Sequence, residues 1–288
     1  MRSARCLAGA ALVSAALLPA GPAASQFDPF KALRGDKGSP EFWKACEGQD
    51  GIAPDKRVEA CSVVIDYGGE LDVNRAGAYV NRGNALRETG ELDRAIKDFN
   101  QAITIDKKVV GAYLGRAEVF VAKGQLDFAI LDYNQAVKLN PKDVTAYFNR
   151  GTTYSKQGQY DRAIQDFDQA IRLNPSYHVA FNGRCFARAK AGQAQLGMAD
   201  CEEALRLRPN DADYLDTRGF ANLRLGQLDR AMADYGDALD INPKLPSSLY
   251  GRGLARLKKG DRRGSADIAA AKAIDAGIAE EFARYGVK

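Results

Sequence analysis

Five segments of this chain align without a gap at a spacing of 34 residues, and no other feature narrows the possible fold so far. They start at Ala78, Ala112, Ala146, Ala180 and Tyr214, and a sixth from Ser248 follows with one residue missing in its second half. Each carries an apolar stripe at i, i+4, i+7, then a glycine, then a second such stripe, which is the pattern of a helical hairpin. Composition fits a folded chain: 45% hydrophobic and 27% charged residues over 288 positions supply a real core and exclude a disordered one.

The first residues read differently. Arg2 and Arg5 precede an apolar run from Cys6 to Leu18, followed by Pro19, Gly21 and Pro22 and the small residues Ala23, Ala24 and Ser25. This is the composition of a secretory signal peptide, expected over 1–25 with cleavage after Ser25. The run of about 13 residues is too short for a membrane anchor, which needs about 20, and no other segment could span a bilayer. Cys6 precedes the run, which disfavours a lipoprotein. Without Arg2 and Arg5 the chain has 39 basic against 37 acidic residues, so net charge gives no nucleic-acid signature.

Within the repeats, position 4 is Tyr79, Tyr113, Tyr147, Phe181, Leu215 and Leu249, and position 8 is Gly83, Ala117, Gly151, Cys185, Gly219 and Gly253. Position 20 is Ala95, Ala129, Ala163, Gly197 and Ala231; position 24 is Phe99, Tyr133, Phe167, Cys201 and Tyr235; position 27 is alanine in five repeats; proline closes four of them at Pro141, Pro175, Pro209 and Pro243. These residues resemble the tetratricopeptide repeat. The resemblance implies an all-α solenoid of stacked antiparallel helix pairs, wound as a right-handed superhelix with a concave groove. It divides the chain into a leader over 26–40, a divergent hairpin over 41–75, six repeats over 76–275 and a capping helix over 276–288 that covers the apolar face of the last repeat. One departure is that Arg188, Asn222 and Arg256 replace the aromatic of position 11.

In this frame positions 8 and 24 are the midpoints of two facing stripes, where glycine receives an aromatic ring. The fourth repeat replaces both at once with Cys185 and Cys201. Upstream, with Phe42 at position 4, Cys46 and Cys61 fall in the same two slots if the loop is one residue shorter. Two such coincidences behind an export signal predict disulfides Cys46 to Cys61 and Cys185 to Cys201. A shared metal or a cysteine nucleophile is disfavoured: the pairs lie about four repeats apart, no C-x-x-C occurs, and the single histidine, His178, enters the fourth repeat at a turn.

Position 7 is arginine throughout: Arg82, Arg116, Arg150, Arg184, Arg218 and Arg252. Position 23 is Asp98, Asp132, Asp166, Asp200 and Asp234, with Asp267 after the deletion. A structural ladder of ion pairs is expected, either within one repeat or between neighbours.

The family's geometry puts function on the first helices. Phe148, Phe186, Phe220, Leu223, Tyr250 and Leu254 form an apolar strip there, Asn182 and Ser155 add polar contacts, and Lys156, Lys190, Arg224 and Lys258 run beside it. The expected ligand is a protein or peptide held in this groove, on a periplasmic or secreted scaffold with no cofactor, no metal, no nucleic acid and no catalytic role. Two other readings stay open: a homo-oligomeric assembly subunit, and a binder of anionic envelope polymer through the basic row. An enzyme is disfavoured because no Ser, His and Asp grouping, phosphate loop or metal spacing is present.

Overall fold

The computed structural model describes residues 40–66 and 72–287. The expected signal peptide and nearly all of the leader lie outside them. The described residues form fifteen α-helices and no strand: α1 (Pro40–Cys46), α2 (Pro54–Asp66), α3 (Asp72–Glu88), α4 (Leu92–Ile105), α5 (Val110–Ala122), α6 (Leu126–Leu139), α7 (Val144–Lys156), α8 (Tyr160–Leu173), α9 (His178–Lys190), α10 (Ala194–Leu207), α11 (Ala212–Arg224), α12 (Leu228–Ile241), α13 (Pro246–Lys258), α14 (Gly264–Ile274) and α15 (Ile278–Arg284). Consecutive helices pack in pairs, and each pair packs on the next, which is an α-solenoid.

Local chemistry sets the hairpins. The first helix of each repeat is followed by a glycine in the left-handed region, as at Gly158 with φ 77°, and in the first five repeats the next helix starts two residues later. Alanines at the crossings, among them Ala95, Ala129, Ala163 and Ala231, are fully buried, so the helix backbones approach closely.

The ring at position 24 reaches further than its own hairpin. A Cβ on Gly83 would meet the Phe99 ring at 2.8 Å, and Gly115 of the next repeat is pressed against the same ring. Phe167 sits in the same way between Gly151 and Gly183, and Tyr235 between Gly219 and Gly251. Each ring therefore fastens two hairpins, its burial contributing about 2 to 3 kcal/mol.

Where the sequence has paired cysteines, the structure places their sulfurs at disulfide distance. Cys185 and Cys201 join α9 to α10 with Cα atoms 5.5 Å apart, and Cys46 and Cys61 join α1 to α2 at 4.7 Å. All four side chains are buried. At the position equivalent to Gly115, Gly183 and Gly251 the fifth repeat carries Thr217, which is buried and donates to the Asp213 carbonyl of its own helix.

The arginine ladder lies beside this seam. Arg82, Arg116 and Arg150 each grip the aspartate 16 residues on with two nitrogens, as in Arg150 Nε to Asp166 Oδ2 at 2.8 Å and Nη2 to Oδ1 at 2.6 Å. Arg184 pairs with Asp200, Arg218 with Asp234 and Arg252 with Asp267 in the same sense. A third nitrogen reaches back to the preceding repeat: Arg150 Nη1 donates to Asn134 at 2.8 Å, Arg116 to Asn100, and Arg184 to Asp168 at 2.5 Å. One side chain thus joins three helices.

The missing aromatics at position 11 find their reason here. Arg188 Nη1 donates to Asp200 at 2.6 Å, Asn222 to Asp234 at 2.7 Å and Arg256 to Asp267 at 2.7 Å. Repeats four to six give the buried carboxylate a further donor in place of a ring, which satisfies more of its lone pairs.

Candidate functional site on the concave surface

Successive first helices touch one another, α3 with α5, α7 with α9, α9 with α11 and α11 with α13, whereas the second helices stand farther apart. The first helices therefore line the inner side of the curve. Its two halves differ in chemistry.

Over repeats one to three the inner surface is polar and ion-paired. Arg87 Nη1 meets Glu118 Oε2 at 2.5 Å, Asn149 donates to the other Glu118 oxygen at 3.2 Å, and Arg57 grips Glu88 at 2.9 Å. Phe148, the first member of the expected strip, is half-buried and packs on Phe167 and Tyr177, with centroids 5.8 and 5.4 Å away. Ser155 and Lys156 remain partly open.

Over repeats four to six the strip is apolar and covered. Phe186, Phe220 and Tyr250 come from α9, α11 and α13, and Phe186 lies edge-on to Phe220 at 5.6 Å. The helix α15 folds against them. Phe282 packs on Tyr250 at 4.9 Å and on Phe220 at 5.9 Å; Tyr285 packs on Phe220 at 5.9 Å and on Phe186 at 6.4 Å. Phe220, Leu223 and Tyr250 are buried, while Phe186 and Leu254 are half-buried.

Two expectations are corrected by this. Phe220, Leu223 and Tyr250 are not open anchors, because the chain's own C-terminal rings occupy the strip. And α15 covers more than the last repeat: a helix placed only on α13 and α14 would leave Tyr285 without its partners Phe186 and Phe220 on the fourth and fifth repeats.

The basic row divides too. Lys190 Nζ stands 3.9 Å from the Phe186 centroid and 4.0 Å from that of Tyr285, a cation held between two rings. Arg224 approaches the end of the same segment, where a Cβ on Gly286 would meet its Nη1 at 3.1 Å. Lys258 is exposed, and Asn182 is half-buried with its Oδ1 shielded from solvent and without a hydrogen-bond partner.

One acidic group at position 5 on this surface has no role assigned from the sequence. Asp216 on α11 accepts a 2.6 Å hydrogen bond from Ser248 of α13. Burial pushes its carboxyl up to about 7, against the Ser248 and Ser247 donors, and the charges of Asp213 and Glu281 push the same way. Sequence signals for it were weak: an aspartate where other repeats carry Val80, Leu114 or Phe148, facing serines 31 and 32 residues on. His178 pairs with the Tyr214 hydroxyl at 2.5 Å, and no cluster of three metal-ligating side chains occurs among the described residues.

Comparison with known proteins agrees with this architecture. A tetratricopeptide repeat model matches residues 144–177, and a second model of the same repeat matches 83–124, 117–158 and 219–260. No curated protein matches the sequence. A tetratricopeptide repeat protein from Parabacteroides merdae is 21% identical, with a TM-score of 0.67 over 85% of this chain and 98% of its own. The pilF protein of Pseudomonas aeruginosa is 19% identical, with a TM-score of 0.61 over 74% of this chain and 99% of its own. At these identities the likeness is one of fold. Hairpin frame, glycine-and-ring seam and matched repeats converge: the chain carries tetratricopeptide repeats, matched over residues 83–177 and 219–260.

Proposed function

We propose that this protein is a non-enzymatic scaffold of the cell envelope that holds a helix or peptide of a partner protein on its concave surface. The observation that carries the reading is the seat itself. Aromatic side chains from three successive first helices converge with Lys190 on a helical segment, which is the arrangement by which grooves recognise amphipathic helices. Two cysteine pairs at disulfide distance support an oxidising compartment, as does the signal-like composition of 1–25. No helix among the described residues is long and apolar enough to cross a membrane. Recognition of anionic polymer by the basic row is less well supported, because Lys190 and Arg224 already face α15.

Affinity capture from a periplasmic extract tests the reading, using the exported, oxidised chain and a Phe186→Ala/Leu254→Ala variant. A partner recovered by the first and lost from the second is the expected result. Equal recovery by both would remove the concave strip as the binding surface.

A further inference from the structure

The outward face of the second helices changes along the chain. Positions 19, 22, 26 and 29 of each repeat form one stripe on these helices. In the first repeat the stripe is Arg94, Lys97, Gln101 and Thr104, and in the third it is Arg162, Gln165, Gln169 and Arg172. The second repeat opens the same stripe with Phe128 and Leu131 instead. These two side chains, one turn apart on α6, are 56% and 63% exposed. Phe120, near the end of α5, packs on the Phe128 ring with centroids 5.5 Å apart, so the ring is backed from its own hairpin.

The apolar pair is set among cations. Over repeats one to three every ionised residue of the stripe is basic: Arg94, Lys97, Lys138, Arg162 and Arg172, all exposed. Over repeats four and five the stripe is mixed, with Glu203 and Arg206, then Arg230, Asp237 and Asp240. Carboxylates lie at the hairpin edge beside the pair, and three of them are engaged: Glu91 with Arg94, Asp93 with Lys123, and Asp127 with Gln157. Asp161 stands in the first turn of α8, at the positive end of that helix.

Shape and size choose the occupant. The stripe lies on the outside of the curve, away from the first helices that α15 covers, and a convex face does not enclose a partner helix. Two apolar side chains also fall far short of the roughly 800 Å² that each partner of a stable protein complex buries. A lipid surface asks for less: a ring and an aliphatic chain that enter the headgroup region, with cations at the level of the phosphates.

We propose that the outer face of repeats one to three is a docking surface for an anionic phospholipid bilayer, with Phe128 and Leu131 inserted and Lys97 and Arg162 on the phosphates to either side. The association is peripheral, and it turns the concave surface away from the membrane. It does not depend on the groove reading above.

Vesicle flotation of the exported, oxidised chain tests this. Phosphatidylcholine vesicles with about 30% phosphatidylglycerol should bind it at least about tenfold more tightly than pure phosphatidylcholine, and about 0.5 M salt should remove most of the difference. Phe128→Arg/Leu131→Lys gives the second repeat the residues of the first, so its Tm should match the wild type. That chain should bind anionic vesicles about tenfold more weakly although it gains positive charge, whereas attraction by charge alone would make it bind more tightly. Lys97→Glu/Arg162→Glu should weaken binding by at least about tenfold and flatten the salt dependence. Should the first variant fold poorly, Phe128→Trp decides: against the wild-type chain, whose single tryptophan is Trp43, bromine-labelled anionic lipid should quench the added indole. Equal affinity for anionic and neutral vesicles, unchanged or tighter binding by Phe128→Arg/Leu131→Lys, or an unquenched indole in the Phe128→Trp chain would each overturn the proposal. So would capture of an acidic protein through this face by a chain that ignores both kinds of vesicle.

Discussion

The third and fourth repeats solve one packing problem in two ways. In the third, Phe167 enters the space left by Gly151 and continues to Gly183, so one side chain closes its own hairpin and fastens the next. In the fourth, Cys185 and Cys201 close the hairpin covalently in place of a ring. The ring is cooperative across a boundary; the disulfide is local and acts chiefly on the unfolded chain. The seam after the fourth repeat is therefore held by other means: the apolar strip, in which Phe186 packs on Phe220, and the pairing of His178 with the Tyr214 hydroxyl.

The comparison breaks most sharply at the ring. Phe167→Ala should cost about 4 kcal/mol in denaturant titrations, and by the same amount in the presence and absence of reductant. Reduction, or Cys185→Ser with Cys201→Ser, should cost about 3 kcal/mol in the chain-entropy account, leaving the third repeat's hydrogen-exchange protection unchanged. If reduction loosened the third repeat as much as the fourth, the contrast between cooperative and local closure would be lost.

The ladder sharpens the contrast at smaller scale. Asp166 is buried with one arginine, whereas Asp200 is shared by Arg184 and Arg188. Replacing either by asparagine leaves a partly buried guanidinium short of its counter-charge, at about 2 kcal/mol for Asp166 and more for Asp200. A larger drop in Tm for Asp166→Asn than for Asp200→Asn would contradict the role given to Arg188.

The smallest effect is a pH dependence. Asp216 has its folded value raised to about 7, above the ordinary carboxylate range. A group raised on folding contributes stability that is complete below its unfolded value and is lost as pH climbs through the folded one. The wild-type chain should therefore melt at a higher temperature at pH 5 than at pH 8, relative to Asp216→Asn, which lacks the titration. Parallel pH profiles for the two proteins would place the Asp216 carboxyl in water.

Much of this architecture is legible in the residues alone. The 34-residue spacing locates the six repeat hairpins, and the paired replacement at positions 8 and 24 locates both cysteine pairs, because those slots face each other within one repeat. The ladder of Arg150 and Asp166 is legible as a set of ion pairs, but its closure within one repeat is not, and the structure places it there. What escapes are contacts that leave the repeat or depart from the family's pattern: the hold of Arg184 on Asp168, and the bond from Asn222 to Asp234 in a place where the family carries a ring.

The candidate site divides along the same line. Its residues follow from the first helices, yet their exposure does not, since nothing in the period of the apolar stripe says how far Phe282 and Tyr285 travel. Periodicity and side-chain volume, both local, determined the helices, their pairing and the covalent closures. Only the tertiary structure decided that the last helix turns inward over three repeats, because that choice depends on surface curvature and on which rings find unfilled space, and these exist only once the hairpins are stacked.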